Sequence, residues 1–204
     1  MIIGVLLAAG GARRFGSQKL VALLNGVPVV RHAFDALSPA TDGVVVVVGS
    51  DSEAVTRAFE GTRASIVVNG DWARGLSTSL RGGILAVSPS TEAVIVGLGD
   101  EPIVDAHVCR ELVRAWRRDN KSIVAARYNG IQDHPVLFDR AVFAELTSLE
   151  GDVGAKSVIN RSAERVGFVD VSAPQPIDVD EPADLHKMPE ASGQMPKNSD
   201  SGFM

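Results

Sequence analysis

The chain of 204 residues lacks the usual material of a disulfide scaffold, a membrane span or a nucleic-acid surface. A single cysteine, Cys109, cannot close an internal disulfide, so a reducing cytoplasm is the expected setting. Cys109 has no neighbouring base in sequence and falls in a helical pattern, which reads as buried filler rather than a nucleophile. No segment approaches the roughly 18 consecutive apolar residues of a membrane helix, and the apolar N-terminus lacks the basic stretch of a secretory signal. Acidic residues outnumber basic ones by 25 to 20, which disfavours nucleic acid or an anionic membrane as the main partner. The four histidines, His32, His107, His134 and His186, show no metal-ligand spacing, and zinc is not expected.

Two phosphate-binding patterns are also missing. Gly11 and Gly16 have the glycine spacing of a Walker A loop, but Ser17 and Gln18 follow and Lys19 comes two places late. The glycines at 10, 11 and 16 do not form the dinucleotide fingerprint.

What is present is a short apolar run, Ile2 to Ala8, that empties into Ala9-Gly10-Gly11-Ala12 and then two arginines, Gly16 and Lys19. Small residues let backbone N–H groups approach a phosphate, and the cations neutralise it. The loop alone is equally compatible with a tight strand-to-helix turn.

Further strands are expected at 44–48, 65–68, 93–98, 122–126, 135–138 and 165–171. Between them, helical spacing falls near 29–37, 52–60, 76–87, 105–118 and 140–160, the second with an N-cap in Gly49-Ser50-Asp51. Leu20 to Pro28 reads as an extended piece around an Asn25-Gly26 turn. Strands apolar on both faces and alternating with helices predict a Rossmann-like α/β/α sandwich with a mostly parallel sheet. One domain is expected over 1–187, followed by a disordered Pro/Ser/Gly/Asn-rich tail over 188–204. Ligands of such sheets sit at the carboxyl ends of the strands, here the turns at 8–19, 69–79 and 99–105.

Asp100, in Gly97-Leu98-Gly99-Asp100-Glu101-Pro102, stands at one of those ends. Beside a triphosphate it suits Mg²⁺, a hard cation that takes oxygen ligands; by itself it is better explained as a turn or cap residue, and the first loop tips the balance to the metal. Asp178 and Asp180 alternate onto one side of an extended segment and offer further carboxylates to the same metal, although Asp180 also suits a cap for a helix beginning at Glu181-Pro182.

Six blocks then carry a resemblance. Leu7-Ala8-Ala9-Gly10-Gly11-Ala12-Arg13-Arg14-Phe15-Gly16-Ser17-Gln18-Lys19 resembles the L-A-A-G-x-S-x-R-x-G-x-x-K signature of MobA-like nucleotidyltransferases. Asn69 to Arg81, with Trp72, Gly75, Ser77 and Ser79, is similar to their N-x-x-W-x-x-G-M-S-x-S-L-R stretch. Gly99 to Pro102 resembles G-D-Q-P, His134 to Phe138 resembles the end of G-H-P-V-x-F, Gly151 to Ala155 resembles G-D-x-G-A, and Asp178 to Pro182 resembles D-I-D-T-P. The chain departs from these patterns at Ala12 (serine), Glu101 (glutamine) and Asp133 (glycine). Asp133 adds a carboxylate beside the pocket of an anionic substrate.

The resemblance implies a nucleotidyltransferase that uses Mg²⁺, a nucleoside triphosphate and a phosphorylated acceptor. Its nearest branch is the molybdenum-cofactor cytidylyltransferases, because Ala9 stands where the guanylyltransferase branch has glycine; guanylyl transfer to molybdopterin or to a phosphorylated carboxylic acid, and cytidylyl transfer to an isoprenoid or sugar phosphate, are the alternatives that keep the chemistry. Carried over, Arg14, Lys19 and Asp100 are the catalytic group. Leu7, Ala8, Ala9, Gly10, Gly11, Asn69, Gly75, Ser77, Ser79 and Gly99 join them around the nucleotide. His134 is the acceptor residue, and Asp100, Asp180 and Asp178 are the metal ligands. Helix capping accounts for Ser77 and Ser79 equally well, as does ordinary turn packing for Trp72 and a hydrogen-bonded histidine before a strand for His134. A nucleotide-binding module without catalysis is the alternative from another class, but it predicts decay at Arg14, Lys19, Asp100 and Asp180, all of which are present.

Overall fold

The computed structural model describes residues 1–11, 15, 18–161 and 163–188. Nine strands and six α-helices are found among them. β1 (Ile2–Ala8) lies at the centre of a seven-stranded sheet ordered β5-β4-β1-β6-β8-β7-β9. β4 (Gly43–Val48), β5 (Ser65–Val68) and β6 (Ala93–Leu98) run parallel to it. β7 (Ile123–Tyr128) and β8 (Ile131–Asp139) form a hairpin in which β8 alone runs against the rest, and β9 (Val166–Val171) closes the edge parallel to β7. The hairpin runs further than expected because Asn129 (φ 49°) and Gly130 (φ 88°) make a two-residue turn in the left-handed region. A second small hairpin, β2 (Leu23–Leu24) with β3 (Val27–Pro28), turns the same way at Asn25 and Gly26.

Strand periodicity divides the core. Along β1, Ile2, Leu6 and Ala8 face one side, and Ile3, Val5 and Leu7 face the other. The first side is covered by α1 (Val29–Leu37), α2 (Ser52–Arg57) and α4 (Ala106–Asp119), through residues such as Phe34, Val55 and Leu112. α3 (Leu76–Ala86), α5 (Phe143–Thr147) and α6 (Lys156–Asn160) cover the second through Leu80, Leu146 and Ile159. The expected three-layer sandwich is the observed one. Cys109 is fully buried within it, and burial pushes its thiol up to about 12. No helix among the described residues is long and apolar enough to cross a membrane.

Three local expectations change. α2 ends at Arg57 rather than 60, and Asp51 enters it with φ 52° and no side-chain cap, so the capping role fails on geometry. Asp180 does not cap the helix at 182. Glu181 does, in a capping box with Asp184, because the Asp180 carboxylate is engaged elsewhere. Met188, counted with the tail by composition, packs with Val179, Leu24 and Val29 in a small cluster under the 177–188 segment. The remainder of the expected tail, 189–204, lies outside the described residues.

Candidate active site

β1 has neighbours on both sides that follow it in the chain, β4 and β6, so the sheet order switches there. A cleft of about 600 Å³ opens at that point, beyond the carboxyl ends of β1 and β6. One wall is the Ala9-Gly10-Gly11 turn, steadied where the Ala9 carbonyl accepts the Ser50 N–H at 3.2 Å. The ring of Trp72 lies against Gly11. Gly49, just past β4, permits this convergence: a Cβ there would stand 2.7 Å from both the Ala9 oxygen and the Trp72 Cβ.

The opposite wall is acidic. Asp100, Asp178 and Asp180 all line the cleft. The Val179 N–H donates to the Asp100 carbonyl at 3.0 Å, and the buried Val179 side chain anchors the segment that carries the other two. Between these carboxylates lies Lys19, whose Nζ is 2.8 Å from Asp100 Oδ2 and 3.0 Å from Asp180 Oδ1. Burial opposes the Lys19 charge, but the two carboxylates outweigh it and hold its pKa above the ordinary value. Burial and the field of Asp100 push the Asp178 carboxyl upward. A fourth acid, Asp152, and Arg74 complete the rim.

The N-terminus of α3 forms the floor. Gly75 has φ +118°, and a Cβ on it would come 2.4 Å from the Gly151 carbonyl. The fully buried Ser77 hydroxyl donates to the Gly151 oxygen at 2.7 Å, while Asn69 Nδ2 donates to Thr78 Oγ1 at 2.9 Å and Ser79 Oγ at 3.0 Å.

Thus Leu7, Ala9, Gly10, Gly11, Gly75, Ser79, Asp100, Asp178 and Asp180 line one cleft, with Lys19 bridging two of them. Ala8 is buried in the core, and the Gly99 N–H is bonded to the Leu7 carbonyl at 2.9 Å. Asn69 and Ser77 bind neighbouring chain rather than line the cleft. Arg14 lies outside the described residues.

His134 belongs to a second cleft of about 260 Å³ that shares Leu7, Leu76 and Leu98 with the first. Its base is apolar (Leu80, Val96, Val136), and its rim carries Gln132, Asp133 and Lys156. His134 Nδ1 lies 3.3 Å from Glu101 Oε1 and 3.5 Å from Asp133 Oδ1. Burial disfavours the imidazolium, yet bonding to these two carboxylates raises His134 to about 9. Burial pushes Glu101 upward, whereas the His134 hydrogen bond lowers Asp133. Sequence reading singled out neither Asp152 nor Arg74 as a site residue, and it passed over Gln132 and Lys156. Asp152 stood inside a quoted block, so its signal was available; Gln132 and Lys156 carry none apart from the fold.

The sheet order, the small-residue turn and the acid–lysine cluster define a nucleotide-handling α/β transferase. The chain belongs to the MobA-like NTP transferase family, whose domain matches residues 4–166. It is 28% identical to nicotine blue oxidoreductase of Paenarthrobacter nicotinovorans, over 84% of this chain and 87% of that protein. It is 26% identical to a probable molybdenum cofactor guanylyltransferase of Thermococcus sibiricus, over 62% of each chain. With the molybdenum cofactor cytidylyltransferase of Escherichia coli it shares 25% identity, over 67% of this chain and 69% of that one. Among solved structures, Rv0371c from Mycobacterium tuberculosis superposes with a TM-score of 0.81 at 28% identity, over 91% and 95% of the two chains. A further structure of Rv0371c is a complex with manganese, with a TM-score of 0.76 at 28% identity over 91% and 96% of the chains.

Proposed function

We propose that the protein transfers a nucleoside monophosphate, CMP from CTP, to a phosphorylated acceptor of the molybdenum-cofactor type, with pyrophosphate as the leaving group. The observation that carries this reading is the Lys19 ammonium held between Asp100 and Asp180 beside the Ala9-Gly10-Gly11 turn. Ala9 favours cytidine over guanosine by the resemblance described above. The Thermococcus relative supports the same chemistry with GTP, which makes guanylyl transfer the second reading.

A phosphate monoester has a second pKa near 6 and is largely dianionic at neutral pH. Its oxygen attacks the α-phosphorus in line, so no general base is needed. Positioning and charge neutralisation then do the catalysis. The backbone of Ala9 to Gly11 receives phosphates, Trp72 and Ser79 border the nucleotide, and Lys19 with Arg14 neutralises charge on the departing pyrophosphate. Asp100, Asp178 and Asp180 offer only oxygen donors, which suits a hard cation such as Mg²⁺. These three residues would hold the cation, which would supply positive charge to screen the phosphate oxygens. Lys19 leaves its two carboxylates and turns to the phosphates as ligands arrive. His134 faces the acceptor from the second cleft.

The test is a pyrophosphate-release screen of CTP, GTP, ATP and UTP against molybdenum cofactor and other phosphorylated acceptors with Mg²⁺. Thermal shifts with each nucleotide separate the CTP and GTP branches. Folded protein that releases no pyrophosphate with any pair would overturn the transfer reading.

A further inference from the structure

Asp100 and Glu101 are consecutive, yet they serve different clusters. Glu101 is 3% exposed, and its Oε2 is buried with no hydrogen-bond partner among the described residues. Its other oxygen shares His134 Nδ1 with Asp133, at 3.3 and 3.5 Å. A single ring nitrogen carries at most one proton, so the two carboxylates cannot both be well bonded by it. As a purely protein arrangement the cluster leaves a buried carboxylate half satisfied, which native interiors rarely tolerate.

We propose that Glu101, Asp133 and His134 form a second divalent-cation site, distinct from the Asp100 cluster. Ligand atoms of the three residues lie within 4.8 Å of one another. Ligands bonded at 2.0–2.2 Å in a tetrahedral shell stand about 3.4 Å apart, close to the two spacings measured around Nδ1. Held by both oxygens of Glu101, the cation supplies a partner for Oε2, which has none among the described residues. It also cancels the charge that two carboxylates would otherwise set beside an anionic acceptor.

The surroundings hold the donors in place. The His134 N–H and Gln175 Nε2 each donate to Asp133, both at 2.9 Å, and the Tyr128 hydroxyl donates to the His134 carbonyl at 3.0 Å. Such outer contacts orient metal ligands. Asp133 and His134 line the second cleft, so the ion enters from there. A nitrogen donor favours a later divalent cation of the Fe²⁺–Zn²⁺ series over Mg²⁺, which prefers oxygen alone; Mn²⁺, the weakest binder of the first-row series but paramagnetic, serves as the probe. The expectation against zinc considered only histidine spacing. This site instead takes one histidine and two carboxylates from segments 33 residues apart. It stands apart from the transfer reading, because cation binding is measured without nucleotide.

The experiment uses the tag-free full chain, stripped with chelator and titrated with Mn²⁺. Binding is followed by equilibrium dialysis, and pulsed EPR reads ¹⁴N coupling from an imidazole. Wild type and Asp100→Asn should both hold a nitrogen-coupled Mn²⁺ that tenfold excess Mg²⁺ does not displace. Glu101→Gln should weaken that binding at least about tenfold. His134→Gln should abolish the coupling; if it does not fold, Glu101→Gln decides alone. Absence of nitrogen-coupled Mn²⁺ in folded wild type, coupling that persists in folded His134→Gln, or unchanged affinity in Glu101→Gln each overturns the site.

Discussion

Asp100 and Glu101 leave the end of β6 side by side and enter two clusters with the same formal composition, two carboxylates around one basic group. The first lies at the larger of the two clefts. Its base is an ammonium on a long flexible stem, and Asp180 is half exposed beside an open cleft. In the second, a short imidazole meets a buried glutamate, one of whose oxygens has no hydrogen-bond partner among the described residues, while His134 and Asp133 stay partly exposed at the second cleft. The difference teaches that composition does not settle what such a cluster does. The length of the basic side chain and the burial of each carboxylate, Asp180 half exposed and Glu101 buried, set how far its charges can trade partners.

The comparison breaks most sharply at the first cluster. Asp100→Asn and Lys19→Ala should each lower kcat/KM for pyrophosphate release by roughly 10²–10³, by analogy with the loss of one preorganised charge-stabilising group. Both proteins should keep wild-type far-UV circular dichroism. Either variant at full activity would remove its residue from the catalytic group.

The shared floor is the next target. Gly75→Ala forces a Cβ into the Gly151 carbonyl at a positive φ, so it should cost about 2–4 kcal/mol in urea unfolding and disturb both clefts together. A nearly neutral result would show that the 151–154 loop yields easily.

Ser77 and Ser79 sharpen the contrast between holding the floor and touching the ligand. Ser77→Ala removes the hydroxyl bond to the Gly151 oxygen, which keeps the Ser77 N–H at 3.3 Å, and should cost about 0.5–1.5 kcal/mol, with nucleotide KM unchanged. Ser79 lines the cleft, and its alanine variant should raise nucleotide KM instead. If the two effects were exchanged, Ser77 would become the ligand residue.

The smallest effect concerns Cys109, buried in the core on α4. Its folded pKa of about 12 lies above the ordinary 9.0, so the folded thiol holds its proton more tightly than the unfolded one. The resulting contribution to stability is complete below pH 9 and is lost as pH rises towards 12. Native protein should therefore resist thiol reagents at pH 8, and Cys109→Ala should flatten the decline in stability above pH 9. Rapid labelling of the native thiol would contradict its burial.

Much of the architecture was legible because its signals are local. Continuous β-branched runs such as Val44 to Val48 mark strands buried on both faces, and Asn25-Gly26 marks a tight hairpin. The Asn129-Gly130 turn carried an equal signal, yet it was passed over between two strands expected to stop short. Capping at Asp51 and Asp180 was misjudged because a cap needs a particular backbone angle and an unoccupied side chain. Residue type reveals neither.

The sequence by itself determined the alternation of strands and helices, the small-residue turn after β1, the acids near its cleft and membership of the family. Those properties depend on periodicity, side-chain size and motif order within short windows. Only the tertiary structure decided that Lys19 lies between Asp100 and Asp180, and that Glu101 turns away from Asp100 to meet His134 and Asp133. These partners are 32 to 161 residues apart, so their meeting is set by strand order and by the packing of Val179, which no local window contains.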